Sequence, residues 1–350
     1  MKKKIAVLPG DGVGPEVTAE AVKVLKKIAE IYKHEFEFNY GLIGAAAIDK
    51  TGDPYPAETH ELCLSSDAIL LGAIGDPKYD NDPSAKVRPE QGLLKMRKDL
   101  GLYINLRPIV TFESLYDKSP LKNDRVHGVD FVFVRELTGG IYFGKRERTA
   151  QNAYDTMSYS RSEIERITKF AYGLAKKRRR RLTLVDKANV LDTSRLWREV
   201  VGEISKQHTD VETQYMFVDN AAQQIIKRPG EFDVVLTENM FGDILSDEAA
   251  VIVGSLGMLP SASIGEKTAL YEPIHGSFPK AAGQNIVNPI ATILSAAMML
   301  EYSFGLKKES GAIWSTVIKI LNDGLGTKDI FPENPRSTSE VGDAIVNALT

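Results

Sequence analysis

The stretch KIAVLPGDGVGPEVTAEAVKVLKKIAEI, residues 4–31, decides the fold class of this chain. Its first residues, 4–8, form a short apolar run that is typical of a strand buried on both faces. Pro15 then suits the first turn of a helix. Apolar residues follow at helical spacing, namely Val17, Ala21, Val24, Ile28 and Ile31. The stretch therefore predicts a buried strand that leads through a glycine-rich turn into an amphipathic helix.

The same alternation of strand and helix continues along the chain. Apolar runs predict strands at residues 68–71, 129–134, 182–185, 211–217 and 232–236. Helical periodicity follows or separates several of these runs, and Ser162 with Glu165 predicts a capping box at the start of one helix. Strands that alternate with helices predict an α/β protein with largely parallel sheets.

Length and composition predict about two domains. The chain has 350 residues, and one domain takes about 150. No internal repeat or low-complexity linker marks a boundary. The single cysteine, Cys63, excludes an intrachain disulfide and a four-cysteine zinc site, and it fits a reducing compartment. No apolar stretch is long enough to span a membrane or to form a signal-peptide core, so we expect a cytoplasmic protein.

The charge balance argues against a protein that mainly coats nucleic acid. Lys plus Arg number 44 and Asp plus Glu number 47, which gives a net charge of −3. The most biased segment, KKRRRR at residues 176–181, follows a predicted helix, where cations complement the helix dipole. We interpret it as a solvated helix end, with phosphate or nucleic-acid binding as the alternative.

Two glycine-containing segments are typical of ligand-binding loops. The turn GDGVG, residues 10–14, lets a ligand approach the backbone at a helix N-terminus. Its glycine spacing differs from the dinucleotide-binding fingerprint, so a tight structural turn explains it equally well. The polar loop of residues 272–289 could wrap a nucleotide or serve only as a long connector.

Three arginines, Arg97, Arg107 and Arg135, would suit a small dicarboxylate if they converge, because guanidinium groups bind carboxylates in a bidentate manner. Arg135 comes at the end of a predicted strand, over the edge of a sheet where α/β proteins bind ligands. Taken one at a time, each arginine is explained more simply by a surface ion pair.

Acidic residues in the second half of the chain could bind a metal. Asp243 and Asp247 are four residues apart on a predicted helix, and Asp219 follows a predicted strand. Like charges at that helical spacing repel. A hard cation such as Mg²⁺ or Mn²⁺ would explain them, since it prefers oxygen ligands, and a solvated acidic face is the alternative. Lys187 and Tyr142 could each transfer a proton. The alternatives are an ion-paired lysine and a packed tyrosine.

Together these segments resemble the isocitrate/isopropylmalate dehydrogenase family of metal-dependent β-decarboxylating dehydrogenases. The matching motifs occur in the family's order: LPGDGVGPE (8–16), NLRP (105–108), VRELTGGIYFG (134–144), VDKANVL (185–191), NMFGDILSD (239–247), GSLG (254–257) and EPIHGS (272–277). The resemblance covers nearly the whole chain. It implies an α/β two-domain fold with mixed, largely parallel sheets flanked by helices, which is not a Rossmann fold.

The resemblance also implies domain boundaries and a reaction. Residues 1–102 with 255–350 would form the first domain, with the cofactor loop and both termini. Residues 103–254 would form the second, with the dimer interface and the metal and proton-transfer residues. The apolar pair before Arg97 resembles the branch that oxidatively decarboxylates (2R,3S)-3-isopropylmalate to 4-methyl-2-oxopentanoate in leucine biosynthesis, because isocitrate-type relatives have polar residues there. A related oxidative decarboxylase of D-malate, tartrate or homoisocitrate is the alternative.

The family's site residues transfer to this sequence motif by motif. Three arginines would hold the substrate's carboxylates, three aspartates would hold Mg²⁺ or Mn²⁺, and an apolar group would contact the isopropyl substituent. Lys187 would accept the proton of the hydroxyl, and Tyr142 would protonate the enol carbon. Lys187, Asp219 and Val190 would come from the partner subunit, so the active form would be a homodimer with shared sites. The substrate and metal residues are Arg97, Arg107, Arg135, Leu93, Leu94, Val190, Asp219, Asp243 and Asp247.

The resemblance implies NAD as the cofactor, with one departure. Glu90 would face the nicotinamide, and the remaining contacts would be Val13, Glu272, His275, Gly276, Ser277, Pro279, Lys280, Ala281, Gly283 and Asn288. NAD-specific members usually have an aspartate at the position of Lys280, where it accepts hydrogen bonds from ribose hydroxyls. NADP-using members have a lysine usually followed by tyrosine, whereas Ala281 follows here. We therefore expect NAD, with NADP as the alternative.

Overall fold

The structure, a computed structural model, describes residues 1–80 and 86–350. The chain divides into two compact units, residues 1–102 with 255–350 and residues 103–254. The strands of the described residues are β1 (Lys2–Gly10), β2 (Glu35–Tyr40), β3 (Ala68–Ala73), β4 (Ile104–Val110), β5 (Asp130–Glu136), β6 (Arg146–Arg148), β7 (Ala153–Asp155), β8 (Arg181–Asp186), β9 (Glu212–Phe217), β10 (Val234–Thr237), β11 (Pro260–Ile264) and β12 (Ala269–Pro273). Their α-helices are α1 (Gly14–Tyr32), α2 (Ala45–Thr51), α3 (Ala57–Leu64), α4 (Pro77–Asp80), α5 (Pro89–Asp99), α6 (Asn123–Val126), α7 (Arg161–Lys177), α8 (Asp192–Ser205), α9 (Val218–Lys227), α10 (Asn239–Ala250), α11 (Ile290–Tyr302), α12 (Lys307–Asn322) and α13 (Thr338–Ala348).

The first unit, residues 1–102 and 255–350, contains strands in the order β2-β1-β3-β12-β11. β1 pairs in parallel with β2 and β3, β3 pairs in parallel with β12, and β11 is antiparallel to β12. β3 is buried along its whole length, which explains its continuously apolar sequence AILLGA. Helix α11 is buried at every position from Ile290 to Leu300, as expected for a helix that is apolar on all sides.

The GDGVG turn between β1 and α1 is held by close backbone contacts. Gly10 and Gly12 both have positive φ, and a Cβ on either would lie 2.0 Å from a carbonyl oxygen of Ala73 or Ser277. The buried carboxylate of Asp11 accepts hydrogen bonds from the backbone N–H groups of Ala45, Ala46 and Gly75. The turn itself therefore requires these glycines, and a role in ligand binding stays a prediction.

The second unit, residues 103–254, contains strands in the order β4-β5-β10-β8-β9. β4 and β5 are antiparallel, and the other pairs are parallel. β6 and β7 form a separate, exposed two-stranded ribbon. The predicted α/β class with largely parallel strands is confirmed. None of the helices in the described part of the chain is long and apolar enough to cross a membrane.

The two ends of α7 differ in detail from the sequence prediction. Its capping box is formed by Ser160 and Glu163, so the prediction of Ser162 with Glu165 was wrong by two residues. In the basic run that follows, Lys176, Lys177, Arg179 and Arg180 are exposed, as the solvated-helix-end interpretation predicts, but Arg178 is not. Arg178 is largely buried and donates to the carboxylates of Asp130 and Asp233, because the turn after α7 folds back over the start of β5 and the residue before β10.

Candidate active site

In the second unit, the carboxylate of Asp243 is the centre of a cluster of expected site residues. Its Oδ1 accepts hydrogen bonds from Arg135 Nη1 at 2.6 Å and from Arg107 Nη2 at 3.3 Å. Its Oδ2 accepts from the Tyr142 hydroxyl at 2.8 Å. Arg107 Nη1 also donates to Asp247 Oδ1 at 3.0 Å. The structure thus brings together five residues that the sequence predicted separately.

Strand register explains why these side chains meet. Arg135 is near the end of β5, where it is paired with Asn105 of β4 and Thr237 of β10. Helix α10 begins two residues after β10, so its first turns pass beside Arg135. A Cβ on Gly242 would lie 2.7 Å from Arg135 Cγ, so only glycine allows this approach without a shift. Asp243 therefore meets the guanidinium of Arg135 from the first turns of α10.

Tyr142 is held at this cluster in its neutral form. It ends the 3₁₀ helix Gly140–Tyr142, and the guanidinium carbon of Arg135 lies 5.8 Å from the centre of its ring. Burial, together with the hydrogen bond to Asp243, raises the pKa of Tyr142 to about 12. The hydroxyl therefore keeps its proton at neutral pH, as a proton donor must.

Lys187 and Asp219 form a second cluster in the same unit. Lys187 follows β8 directly, and Asp219 is in the first turn of α9. The parallel pairing of β8 and β9 places them side by side, with Lys187 Nζ 2.5 Å from Asp219 Oδ1. The Lys187 ammonium lowers the pKa of Asp219. Val190, three residues on, is 60% exposed.

The three expected metal ligands do not meet within one chain. Asp243 and Asp247 share one helix, but Asp219 is bound to Lys187, and the described residues contain no cluster of three or more His, Cys, Asp or Glu side chains that could hold a metal ion. The carboxylate oxygens of Asp243 and Asp247 are nevertheless the donors that Mg²⁺ and Mn²⁺ prefer. The donor set fits such an ion. That Asp219 of a partner subunit completes the set stays a prediction.

In the first unit, Arg97 and Glu272 form a largely buried ion pair. Arg97 Nη2 lies 2.8 Å from Glu272 Oε1, and their side chains are 13% and 11% exposed. The sequence motifs assign these two residues to different ligands and do not predict their contact. Leu93 and Leu94 precede Arg97 on α5, and both are half-buried.

A cavity of about 500 Å³ lies beside the expected cofactor loop of the first unit. Three predicted cofactor residues, His275, Gly276 and Asn288, contribute to its wall. The rest of the lining was not predicted: Ser255, Leu256, Gly257, Phe278, Ile286, Val287, Lys328 and Asp329. The side chains of Leu256, Phe278 and Ile286 are about half exposed, so the cavity offers apolar surface to a ligand.

His275 carries an unused hydrogen-bonding atom beside this cavity. Its Nδ1–H donates to the Gly276 carbonyl at 3.0 Å, so in the neutral ring Nε2 is an acceptor. Burial lowers the pKa of His275, which favours that neutral ring. Nε2 is buried and has no hydrogen-bond partner among the described residues. This orphaned acceptor fits a heterocycle that carries an amino group.

The expected cofactor loop is held by the segment around the start of α1. Val13 N–H donates to the Ser277 carbonyl, and the Glu16 carboxylate accepts from the backbone of Gly283 and Asn285. Glu16 was not predicted, although it lies within a quoted motif. Pro279, Lys280 and Ala281 form a 3₁₀ helix on which Lys280 is exposed. A Cβ on Gly75 would lie 3.0 Å from Glu90 Oε1, which places Glu90 in the same unit's loop region.

Comparison with known proteins assigns the chain to a family. Residues 4–345 match the family model described as isocitrate/isopropylmalate dehydrogenase. The chain is 55% identical over 347 residues to the 3-isopropylmalate dehydrogenase of Bacillus licheniformis, covering 97% of this chain and 94% of that protein. It is 56% identical over 354 residues to that of Geobacillus kaustophilus, covering 99% and 95%. The crystal structure of isocitrate dehydrogenase from Methylococcus capsulatus matches with a TM-score of 0.89 at 33% identity, covering 99% of both chains.

Proposed function

The chain belongs to the isocitrate/isopropylmalate dehydrogenase family, and we propose that it converts (2R,3S)-3-isopropylmalate to 4-methyl-2-oxopentanoate and CO₂ with reduction of NAD, a step of leucine biosynthesis. One observation carries the proposal: two guanidinium groups and a neutral tyrosine hydroxyl meet at one carboxylate, that of Asp243. Relatives that are more than half identical over almost the whole chain are 3-isopropylmalate dehydrogenases, which supports the same substrate.

The arginines bind the two carboxylates of the substrate. Arg107 and Arg135 each donate an N–H to Oδ1 of Asp243, and a dicarboxylate that enters here would accept the same donors. Arg97 is assigned to the substrate by its place in the family motif. Leu93 and Leu94 on the preceding turn favour an alkyl substituent over a third carboxylate, because burying a charge against two leucines is costly.

Asp243 and Asp247, with Asp219 of the partner subunit, are proposed to hold Mg²⁺ or Mn²⁺. When bound, such an ion lowers the pKa of the substrate's hydroxyl and stabilises the enolate left after decarboxylation. Two side chains carry out the proton transfers. Lys187, once its ammonium has given a proton to solvent, accepts the proton of the hydroxyl as a neutral amine, directly or through water, as the hydride leaves for the cofactor. Tyr142 donates its phenolic proton to the enol carbon after CO₂ has left.

We assign the cofactor to the first unit, with its adenine in the cavity beside His275. The apolar lining suits the faces of a purine, and the Nε2 acceptor of His275 suits its exocyclic amino group. Lys280 cannot accept hydrogen bonds from the ribose hydroxyls, but the tyrosine expected beside it for a 2′-phosphate is absent, since Ala281 follows. NAD therefore remains the proposed cofactor, with NADP use as the alternative.

The active form is proposed to be a homodimer in the cytoplasm that needs neither nucleic acid nor membrane. Lys187 and Asp219 form a cluster that is separate from the side chains around Asp243. This supports the expectation that the other subunit supplies them to each site. The free, buried Cys63 suits a reducing compartment.

A substrate panel tests the function. Initial rates with fixed NAD⁺ and Mn²⁺ are compared for 3-isopropylmalate, isocitrate, D-malate, tartrate and homoisocitrate. We expect kcat/KM for 3-isopropylmalate to exceed the others by about 100-fold, the discrimination that an apolar pocket gains from a few carbon atoms. A higher kcat/KM for any other member of the panel would overturn the assignment. Repeating the best reaction with NADP⁺ gives the cofactor preference.

A further inference from the structure

Asn239, the first residue of α10, is fully buried and uses both ends of its side-chain amide. Its Oδ1 accepts hydrogen bonds from Arg135 Nε at 3.1 Å and from Arg135 Nη2 at 2.7 Å. Its Nδ2 donates to the Gly139 carbonyl at 3.0 Å. We propose that Asn239 is a positioning residue that sets Arg135 and Tyr142 against Asp243 for the reaction proposed above. The inference rests on that proposed function for its kinetic test.

The acceptor end of the amide orients Arg135. A guanidinium group is planar, so fixing one edge fixes the direction of the other. Asn239 binds the Nε and Nη2 edge, and this leaves Nη1 for Asp243 at 2.6 Å. Asn239 and Asp243 are one helical turn apart on α10, so a single helix carries both the holder of Arg135 and its target.

The donor end of the amide fixes the turn that carries Tyr142. Gly139 directly precedes the 3₁₀ helix Gly140–Tyr142, and its carbonyl is the acceptor for Asn239 Nδ2. A second contact joins the same parts. The Tyr159 hydroxyl accepts from the Asn239 backbone N–H at 3.0 Å, and a Cβ on Gly140 would lie 2.2 Å from that hydroxyl. The turn is therefore hydrogen-bonded to α10 through Gly139 and packs at Gly140 against the tyrosine that also binds the start of α10.

Only an amide of this length supplies both contacts. An aspartate keeps the acceptor for Arg135 but has no donor for the Gly139 carbonyl, and an alanine has neither. Because the position is fully buried, water does not replace the lost partner. Each substitution therefore leaves the Gly139 carbonyl, or both this carbonyl and the Arg135 guanidinium, without a hydrogen bond from residue 239. The two substitutions therefore separate the two roles.

Steady-state kinetics of the full-length enzyme test the inference, with 3-isopropylmalate, NAD⁺ and Mn²⁺. We expect Asn239→Ala to raise KM for 3-isopropylmalate and to lower kcat, each by about tenfold, the size expected for one lost buried partner. Asn239→Asp should lower kcat by about tenfold and change KM for 3-isopropylmalate by less than about threefold. KM for NAD⁺ should stay within about twofold in both. Val201→Ala, which truncates a buried residue of α8, is the control for a purely structural loss and should lower Tm without changing either constant.

Two results would overturn the inference. One is an Asn239→Asp enzyme with kcat within about twofold of the wild type. The other is an Asn239→Asp enzyme whose KM for 3-isopropylmalate rises as much as that of Asn239→Ala. If Asn239→Ala does not fold, Asn239→Asp alone decides between these outcomes. If the wild type does not turn over 3-isopropylmalate, the proposed function fails, and crystal structures of the variants test the positioning separately. Arg135 and the Gly139–Tyr142 turn should then be displaced in Asn239→Ala, and unmoved side chains would refute the inference.

Discussion

Replacing Tyr142 by phenylalanine removes one oxygen atom from the cluster at Asp243 and leaves the ring in place. The lost hydrogen bond is 2.8 Å long and has a carboxylate acceptor that is one-third exposed. Asp243 keeps both arginines, so we expect a loss of only about 1 kcal/mol in the free energy of unfolding. A missing general acid costs far more in rate, about 10²- to 10⁴-fold in kcat. KM for 3-isopropylmalate should change little, because Arg107 and Arg135 are untouched.

The position of the added proton gives this prediction a second readout. In D₂O the wild type should place one deuterium on C3 of 4-methyl-2-oxopentanoate with a single stereochemistry, because Tyr142 reaches one face of the enol. The Tyr142→Phe enzyme should release an enol that solvent protonates from both faces. Rapid reduction of the product to the hydroxy acid, followed by NMR, measures the ratio of the two stereoisomers.

Tyr172→Phe is the matched control for that experiment. Tyr172 is a buried tyrosine of α7 in the same unit, and its hydroxyl lies 2.7 Å from Thr213 Oγ1, which is not one of the residues around Asp243. It should lose a comparable amount of stability and keep both kcat and stereospecificity. A Tyr142→Phe enzyme with unchanged kcat and a single stereoisomer would refute the role of Tyr142.

Four further predictions follow from the same geometry. Lys187→Ala should fold, as judged by circular dichroism, and lose at least about 100-fold in kcat, whereas wild-type turnover in the folded variant would exclude Lys187 as the base. Lys280→Asp should raise the ratio of kcat/KM for NAD⁺ over NADP⁺ by about tenfold, since a carboxylate accepts from ribose hydroxyls and repels a 2′-phosphate, and an unchanged ratio would place the ribose elsewhere. Exhaustive chelation should abolish turnover and added Mn²⁺ should restore it, whereas activity that survives chelation would rule out the metal site. Gly242→Ala should lower the free energy of unfolding by about 1–3 kcal/mol, because the new Cβ lies 2.7 Å from Arg135 Cγ, and an unchanged Tm would show that the arginine moves freely.

The fold class was accessible from the sequence because hydrophobic patterning reports burial directly. β3 and β8 are where apolar runs predicted strands, and α1 follows the glycine-rich turn as its periodicity indicated. The position of a cap is harder to predict, because serine and glutamate at the right spacing occur twice near the start of α7. The structure uses Ser160 with Glu163, and the alternative pair two residues later lies within the first turns of the helix.

The candidate site was predicted as separate residues, and the contacts between them were not. Periodicity places Asp243 on a helix, but only the pairing of β4 with β5 and of β5 with β10 brings Arg107 and Arg135 to it. The buried pair of Arg97 and Glu272 joins residues 175 positions apart, which no local pattern encodes. Asn239 stood inside a recognised motif without a role, because the value of a buried amide depends on which two groups it joins.

The contacts of Asp243 have a consequence for how strongly the cation and the substrate help each other to bind. In the free protein the carboxylates of Asp243 and Asp247 and the guanidinium groups of Arg107 and Arg135 neutralise one another. A dianionic substrate that takes the arginines leaves Asp243 without its counter-charges, and a divalent cation that takes Asp243 leaves the arginines without theirs. Either ligand on its own must therefore break existing ion pairs without replacing them. When both bind, the substrate's carboxylates replace the aspartates at the arginines, and the cation replaces the arginines at the aspartates. Binding of cation and substrate should accordingly be strongly cooperative, with each lowering the dissociation constant of the other by the same factor.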